Sequence, residues 1–301
     1  VALLALGVAL SLARPDTFAS AQNLATMARQ TVVVAIASVG MTLVIVHGGI
    51  DLSVGSTVAL TTVVIASALR AGAGPVTAAL AGVATATAAG LANGLMVARL
   101  RLPPFIVTLG TMSVLRGLAK GLAHEQKIDA DPRGLDALLT PGSGVFAIVP
   151  AGVFVALLIA ALAGLALGYT RGGRHVYAVG SSEATALLAG IEVERVRVLV
   201  YMLAGALLGL AGIMEFSTLT VGDPTDSVGL ELEVIAAVVI GGASLSGGQG
   251  SISGSLVGAF LMTTIKTGCT HLGLSNWVQE IVTGVIIVVA VATDRVRRPR
   301  S

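Results

Sequence analysis

The chain has 301 residues, 55% hydrophobic and 11% charged, with a formal net charge of +2 and a mean hydropathy of +0.93. A water-soluble domain carries roughly 25% charged residues, so this chain cannot cover itself with polar surface and most of its exterior must face lipid. Its arginine clusters all abut apolar segments, which argues against a nucleic-acid partner.

Crossing the hydrocarbon core takes about 20 apolar residues per helix, and a lipid-exposed backbone must satisfy its own hydrogen bonds. Long apolar runs therefore read as helices, and the fold class is all-α: a polytopic bundle forming one domain over 1–301. Residues 1–13 are too few to span and read as a truncated first helix rather than a signal peptide. Further spans are predicted at 24–46, 52–69, 76–97 and 105–119. A polar, turn-rich loop at 120–144 follows, then spans at 146–168, 196–216, 231–240, 252–267 and 277–293, about ten in all.

Basic residues concentrate at 99–101, at 171–197 and in the C-terminal "DRVRRPRS". The positive-inside rule places these in the cytoplasm, leaving the 120–144 loop outside; the isolated Arg14 and Arg70 run against this scheme. The pairs Gly90/Gly94, Gly117/Gly121, Gly205/Gly209 and Gly254/Gly258 have the small-xxx-small spacing that lets helices approach closely in lipid.

"GGIDLSVG" at 48–55 and "GGASLSGG" at 241–248 share two leading glycines, a Leu-Ser pair and a final glycine. Each sits between apolar runs, as helix breaks at transporter substrate sites do. Asp51, Ser53, Ser244 and Ser246 can bond freed amides or a polar solute. Taken singly, Asp51 and Ser244 read as N-caps of the following helices; as a pair the elbows read as a substrate path or gate. Both fall at the same end of the bundle, which does not fit a simple inverted duplication.

Other polar residues inside apolar runs have plainer readings. Asn93 fits an interhelical hydrogen bond. Glu215, Glu231, Glu233 and Glu280 fall near helix ends, where the dipole favours acids in first turns, and Lys266 reads as snorkelling to the interface. His47, His271 and Cys269 are each isolated, so neither a metal site nor an intramolecular disulfide is expected. There is no G-x-x-x-x-G-K-[ST], G-x-S-x-G or H-E-x-x-H motif and no paired carboxylate array, so the chain is expected to bind no cofactor and to be no enzyme.

Within a basic loop at 171–195, residues 182–191 read as a short amphipathic helix. Ser181 or Ser182 caps it, Glu183 favours its first turn, Gly190 ends it, and Ala184, Leu187, Leu188 and Ile191 share an apolar face. Such a helix lies on the membrane or docks into another protein.

Four stretches, "HGGIDLSVGS", "NGLMVARLRLPPFIVTLGTMSVLRGLA", "YAVGSSEATALLAGIEVERVRVLVYMLAG" and "AAVVIGGASLSGGQGSISGSLVGAF", together resemble the ribose-type inner-membrane permeases of bacterial sugar ABC importers. The resemblance runs from about residue 23 to the C-terminal arginines. It implies a multi-pass subunit of the bacterial inner membrane with a cytoplasmic C-terminus. Its implied partners are a second permease copy as a homodimer, a cytoplasmic ATPase holding ATP and Mg, and an extracytoplasmic solute-binding protein. Residues 182–191 match the segment such permeases insert into the ATPase. His47 departs from the small or hydroxylated residue usual there, and the 120–144 loop has no strong match. The expected function is ATP-driven uptake of a monosaccharide. The alternatives are another polar solute (nucleoside, inositol, autoinducer or branched-chain amino acid), or an ion-coupled carrier for which Asp51 is the candidate ionisable residue.

Overall fold

The computed structural model describes residues 2–13, 15–139 and 149–297. The end of the predicted 120–144 loop, the first residues of the predicted 146–168 span and the last arginines lie outside the described residues.

Every predicted span has a helix. α1 (Ala2–Ala13) leads through the short α2 (Pro15–Phe18) to α3 (Ala21–Val46), α4 (Val54–Arg70), α5 (Pro75–Arg99) and α6 (Pro104–Leu122). After β1 (Ile128–Asp129) and a 3-10 turn at Leu135–Leu138 come α7 (Ala151–Tyr169), α8 (Arg171–Ser181), α9 (Glu183–Leu188) and α10 (Val193–Leu219). β2 (Val221–Gly222), α11 (Leu230–Ile240), α12 (Ile252–His271) and α13 (Asn276–Arg297) complete the described chain. The sequence sets the starts locally. Pro75 and Pro104 occupy first-turn positions where no amide is missed. Ser20, Thr170, Ser182 and Ser251 each accept a first-turn N–H from their side chain. The basic stretch predicted as part of a loop is instead helical, as α8.

Five helices (α3, α5, α6, α7 and α10) are long and apolar enough to cross a membrane by length and composition. They differ in burial: 78% of the most apolar window of α3 is buried, against 22% for α6 and α7. α3 is thus the central post, and α6 and α7 turn broad apolar faces outward.

Glycines set the closest helix approaches. A methyl on Gly90 would overlap the Tyr201 carbonyl and lie 2.9 Å from the Gly205 Cα, bringing α5 and α10 nearly backbone to backbone; a methyl on Gly258 would overlap the Ala237 carbonyl of α11. Three of the four predicted pairs are spent inside the chain in this way. Gly117 and Gly121 of α6 have nothing within 4 Å of a built methyl.

At one end of the bundle the chain folds over itself. β1 pairs antiparallel with β2, Ile128 opposite Gly222, and Arg133 donates to the carbonyls of Gly72 and Ala73. The predicted exposed loop is therefore partly a packed cap, with Ile128 and Leu139 buried. From β2 the chain turns inward. Gly222 packs on Thr62, Val63 and Ala66 of α4, and Ser227 packs on Gly55 in the first turn of α4. Residues 221–229 thus run back alongside α4. α11 has 11 residues, about 16 Å at 1.5 Å per residue, roughly half the 30 Å core, and this re-entrant stretch supplies the other half. Irregular backbone at such depth survives only where protein satisfies it: Asp223 accepts the amide and hydroxyl of Thr225, and Arg116 donates to the carbonyls of Pro224 and Asp226.

Candidate functional site: the joined elbows and the helix beside them

The two elbows meet. The Gly248 amide donates to the Val46 carbonyl at 2.8 Å, and a methyl on Gly247 would lie 2.9 Å from the Gly48 Cα. The expectation that both breaks lie at one end holds.

In the first elbow, Asp51, Ser53 and Asn93 come together. All three are buried. Asp51 Oδ1 accepts the Ser53 amide at 2.8 Å and the Ser53 hydroxyl at 2.6 Å, and Asn93 donates to Ser53 Oγ at 3.1 Å. The Ile50 carbonyl accepts from the Tyr201 and Thr108 hydroxyls. Asp51 is therefore not the N-cap expected for α4. Ser53 holds that position without a side-chain cap bond, while Asp51 closes an Asx-type turn one residue earlier. Asn93 bonds to the elbow rather than to another helix.

The second elbow is built alike but does not share the network. Ser244 is fully buried and accepts the Ser246 amide at 3.1 Å, whereas Ser246 is exposed. The expected N-cap role of Ser244 falls to Ser251. The elbows are joined through glycine backbone, not through their hydroxyls.

Two buried polar atoms beside the first elbow, Asn93 Oδ1 and His47 Nε2, have no partner among the described residues. His47 Nδ1 lies 3.3 Å from the Val44 carbonyl; a carbonyl only accepts, so this geometry puts the proton on Nδ1 and leaves Nε2 as an acceptor. His47 stands edge-on to Tyr201, ring centroids 6.0 Å apart, on the wall of a cavity of about 1000 Å³. Arg99, Arg101, Glu183, Arg195 and Arg197 line its remainder.

α9 stands at the rim of that cavity. Ser182 caps it, accepting the Thr185 amide, and Gly190, at φ +77°, turns the chain out of it. Glu183 pairs with Arg197 of α10 at 2.7 Å. Ala186 alone is buried, against Val179 and Val193. Ala184 is exposed, Leu187 is 56% exposed and Leu188 90%, and Ile191 is half-buried. The predicted apolar face is thus bare.

A second polar concentration escaped the sequence reading. Glu215, Glu231 and Glu233 do not simply mark helix ends. The Glu215 carboxyl lies against Asp226, Glu231 reaches the first turn of α4, and Glu233 pairs with Lys266 at 3.3 Å. Lys266 is therefore ion-paired as well as exposed. These residues lie far apart in sequence and only the re-entrant 221–229 stretch brings them together. His271, expected to be solitary, bonds to Asn23 at 2.9 Å.

A helical membrane bundle with two joined helix breaks, a buried polar network and a bare amphipathic helix beside them defines a transport permease. The chain belongs to the family described as the branched-chain amino acid transport system / permease component, whose model matches residues 23–291. It is a permease component and not a catalytic subunit. It is 40% identical over 295 residues to the ribose import permease protein RbsC of Escherichia coli K12, covering 98% of this chain and 92% of that protein. The RbsC protein of Bacillus subtilis is 37% identical, with 97% and 90% covered. The L-arabinose ABC transporter permease protein AraH of Azospirillum brasilense is 36% identical, with 98% and 86% covered. No solved structure matches the chain.

Proposed function

We propose that this chain is the membrane-spanning subunit of an ATP-driven bacterial importer of a monosaccharide of the ribose or arabinose kind. It sits in the inner membrane with α9 and the C-terminus in the cytoplasm and the β1–β2 cap outside. The single observation carrying the sugar reading is near full-length similarity to import permeases named for two different pentoses. The structure supports the division of labour: the chain presents an exposed apolar helix, α9, for a separate ATPase that holds ATP and Mg. Residues 182–191, with Ala184, Leu187 and Leu188 outermost, are the docking element. Asp51, Ser53 and Asn93 are the gate in the first elbow, with Ser244 and Ser246 in the second. A second copy of the chain completes the path, and a solute-binding protein delivers the sugar at the capped end.

The test is affinity purification of the tagged chain from its native membrane in mild detergent, followed by identification of what accompanies it. A stoichiometric ATPase is expected, lost when Ala184→Asp and Leu187→Asp are combined, while the chain itself stays folded because both side chains are exposed. Repeated intact preparations with no ATPase would sink the reading and direct attention to Asp51 as the ionisable group of an ion-coupled carrier.

A further inference from the structure

The last turn of α8 is bound to both elbows and, with no slack, to α9. Ser182 ends α8, its amide bonded to the Ala178 carbonyl, and begins α9, its Oγ accepting from Thr185. Gly180 stands one residue before that shared cap. A methyl on Gly180 would overlap the Val46 carbonyl at the end of α3 and lie 2.7 Å from the Gly248 amide nitrogen. From the other side, a methyl on Gly247 would lie 2.5 Å from the Gly180 carbonyl oxygen. One turn earlier, Tyr177 donates its hydroxyl to the Gly250 carbonyl at 2.7 Å. Three chain segments thus meet backbone to backbone at one point.

Such a joint differs mechanically from ordinary helix packing. Side chains absorb small shifts by changing rotamer, whereas close-packed backbone with no Cβ between has no soft coordinate and passes displacement on. We propose that Gly180, Gly247 and Tyr177 are positioning residues of the transport cycle. They clamp the last turn of α8 to both elbows, so that a displacement of α9 carries the elbows, and with them the Asp51–Ser53–Asn93 network, as one body. This rests on the reading of α9 as the ATPase-docking helix. It adds which residues carry the movement inward, and it places the transmission in backbone contacts rather than in α10, to which α9 is tied by the Glu183–Arg197 pair.

The experiment uses the complex of the chain with its co-purifying ATPase, reconstituted in lipid vesicles with the binding protein. D-ribose and L-arabinose are the transported probes, and the readout is sugar moved per ATP hydrolysed. The wild type is read first: no bound ATPase, or no uptake of either sugar, defeats the transport reading before any variant is made. Tyr177→Phe, which removes one oxygen, is expected to keep the ATPase bound and hydrolysing while sugar per ATP falls about fivefold, the lower end of typical coupling between sites. Gly180→Ala is expected to lower it further. Gly172→Ala, on the same helix with only the Thr170 hydroxyl near it at 3.6 Å, should leave it unchanged. A wild-type ratio in Tyr177→Phe or in an assembled Gly180→Ala complex overturns the proposal, as does an equal loss in Gly172→Ala. If Gly180→Ala fails to assemble, Tyr177→Phe decides alone.

Discussion

Asp51 holds one residue twice, taking both the amide and the hydroxyl of Ser53, and has no ion-pair partner among the described residues. Asp51→Ala leaves two buried donors unmet and should cost about 2 kcal/mol, read as a lower unfolding midpoint in detergent. Asp51→Asn keeps an acceptor oxygen and is expected to stay near wild type in both midpoint and uptake; loss of uptake with an unchanged midpoint would show that the charge itself is used. Asp223 gives a pH signature outside the spanning helices. Burial pushes its carboxyl up, but the hydrogen bonds from Thr225 and Lys127 outweigh this and hold it below the usual carboxylate range. A depressed carboxylate pKa contributes stability that is complete above the unfolded value, about 3.9, and is lost as pH falls through the lower folded value. The unfolding midpoint of the wild type should therefore drop more steeply below about pH 4 than that of Asp223→Asn. The motif Asp-x-Ser at 51–53 and its analogue Asp-x-Thr at 223–225 were both readable in the sequence; that they close the same turn was not, because the same residues cap helices equally well.

Among the elements, the small-residue pairs separate into two kinds. Gly258 sits where α12 meets the Ala237 carbonyl of α11, so Gly258→Val should destabilise by about 1–3 kcal/mol through overpacking. Gly117 has open space, and Gly117→Ala should hold or raise the midpoint, by up to about 1 kcal/mol from helix propensity alone; a loss there in the assembled complex, absent in the isolated chain, would locate a contact with a second copy. The spacing that identified all four pairs is identical, and only packing shows which are occupied. α9 shows the opposite case. Its cap, its end at Gly190 and its apolar face were legible residue by residue, because capping and periodicity are local. α8 was not, since "RGGRHVYAVG" carries paired glycines and basic residues that read as loop, and its helix is held by contacts with α3, α7 and α10.

At the scale of the whole molecule, the elbow end and the capped end must lie on opposite sides of the membrane. Leu188, 90% exposed on α9, and Lys127, with 66% of its side chain exposed at the cap, are the reporters. In sealed vesicles of one orientation, Leu188→Cys and Lys127→Cys are expected to react with an impermeant thiol reagent from opposite sides; labelling from one side would refute the orientation proposed above.

The sequence by itself determined that the chain is a helical membrane bundle, where its spans run, that two glycine-rich elbows interrupt it and that a short capped helix stands beside them. Hydrophobic run length, proline and serine caps and glycine breaks act over a few residues, and each leaves its mark in the linear text. Only the tertiary structure decided that the elbows touch, that Gly180 and Tyr177 tie α8 to them and that Glu215, Asp226 and Glu231 converge on a re-entrant strand. Those contacts join residues from tens to some two hundred positions apart. They exist because half-length α11 leaves room inside the bundle that the chain must fill with its own satisfied backbone.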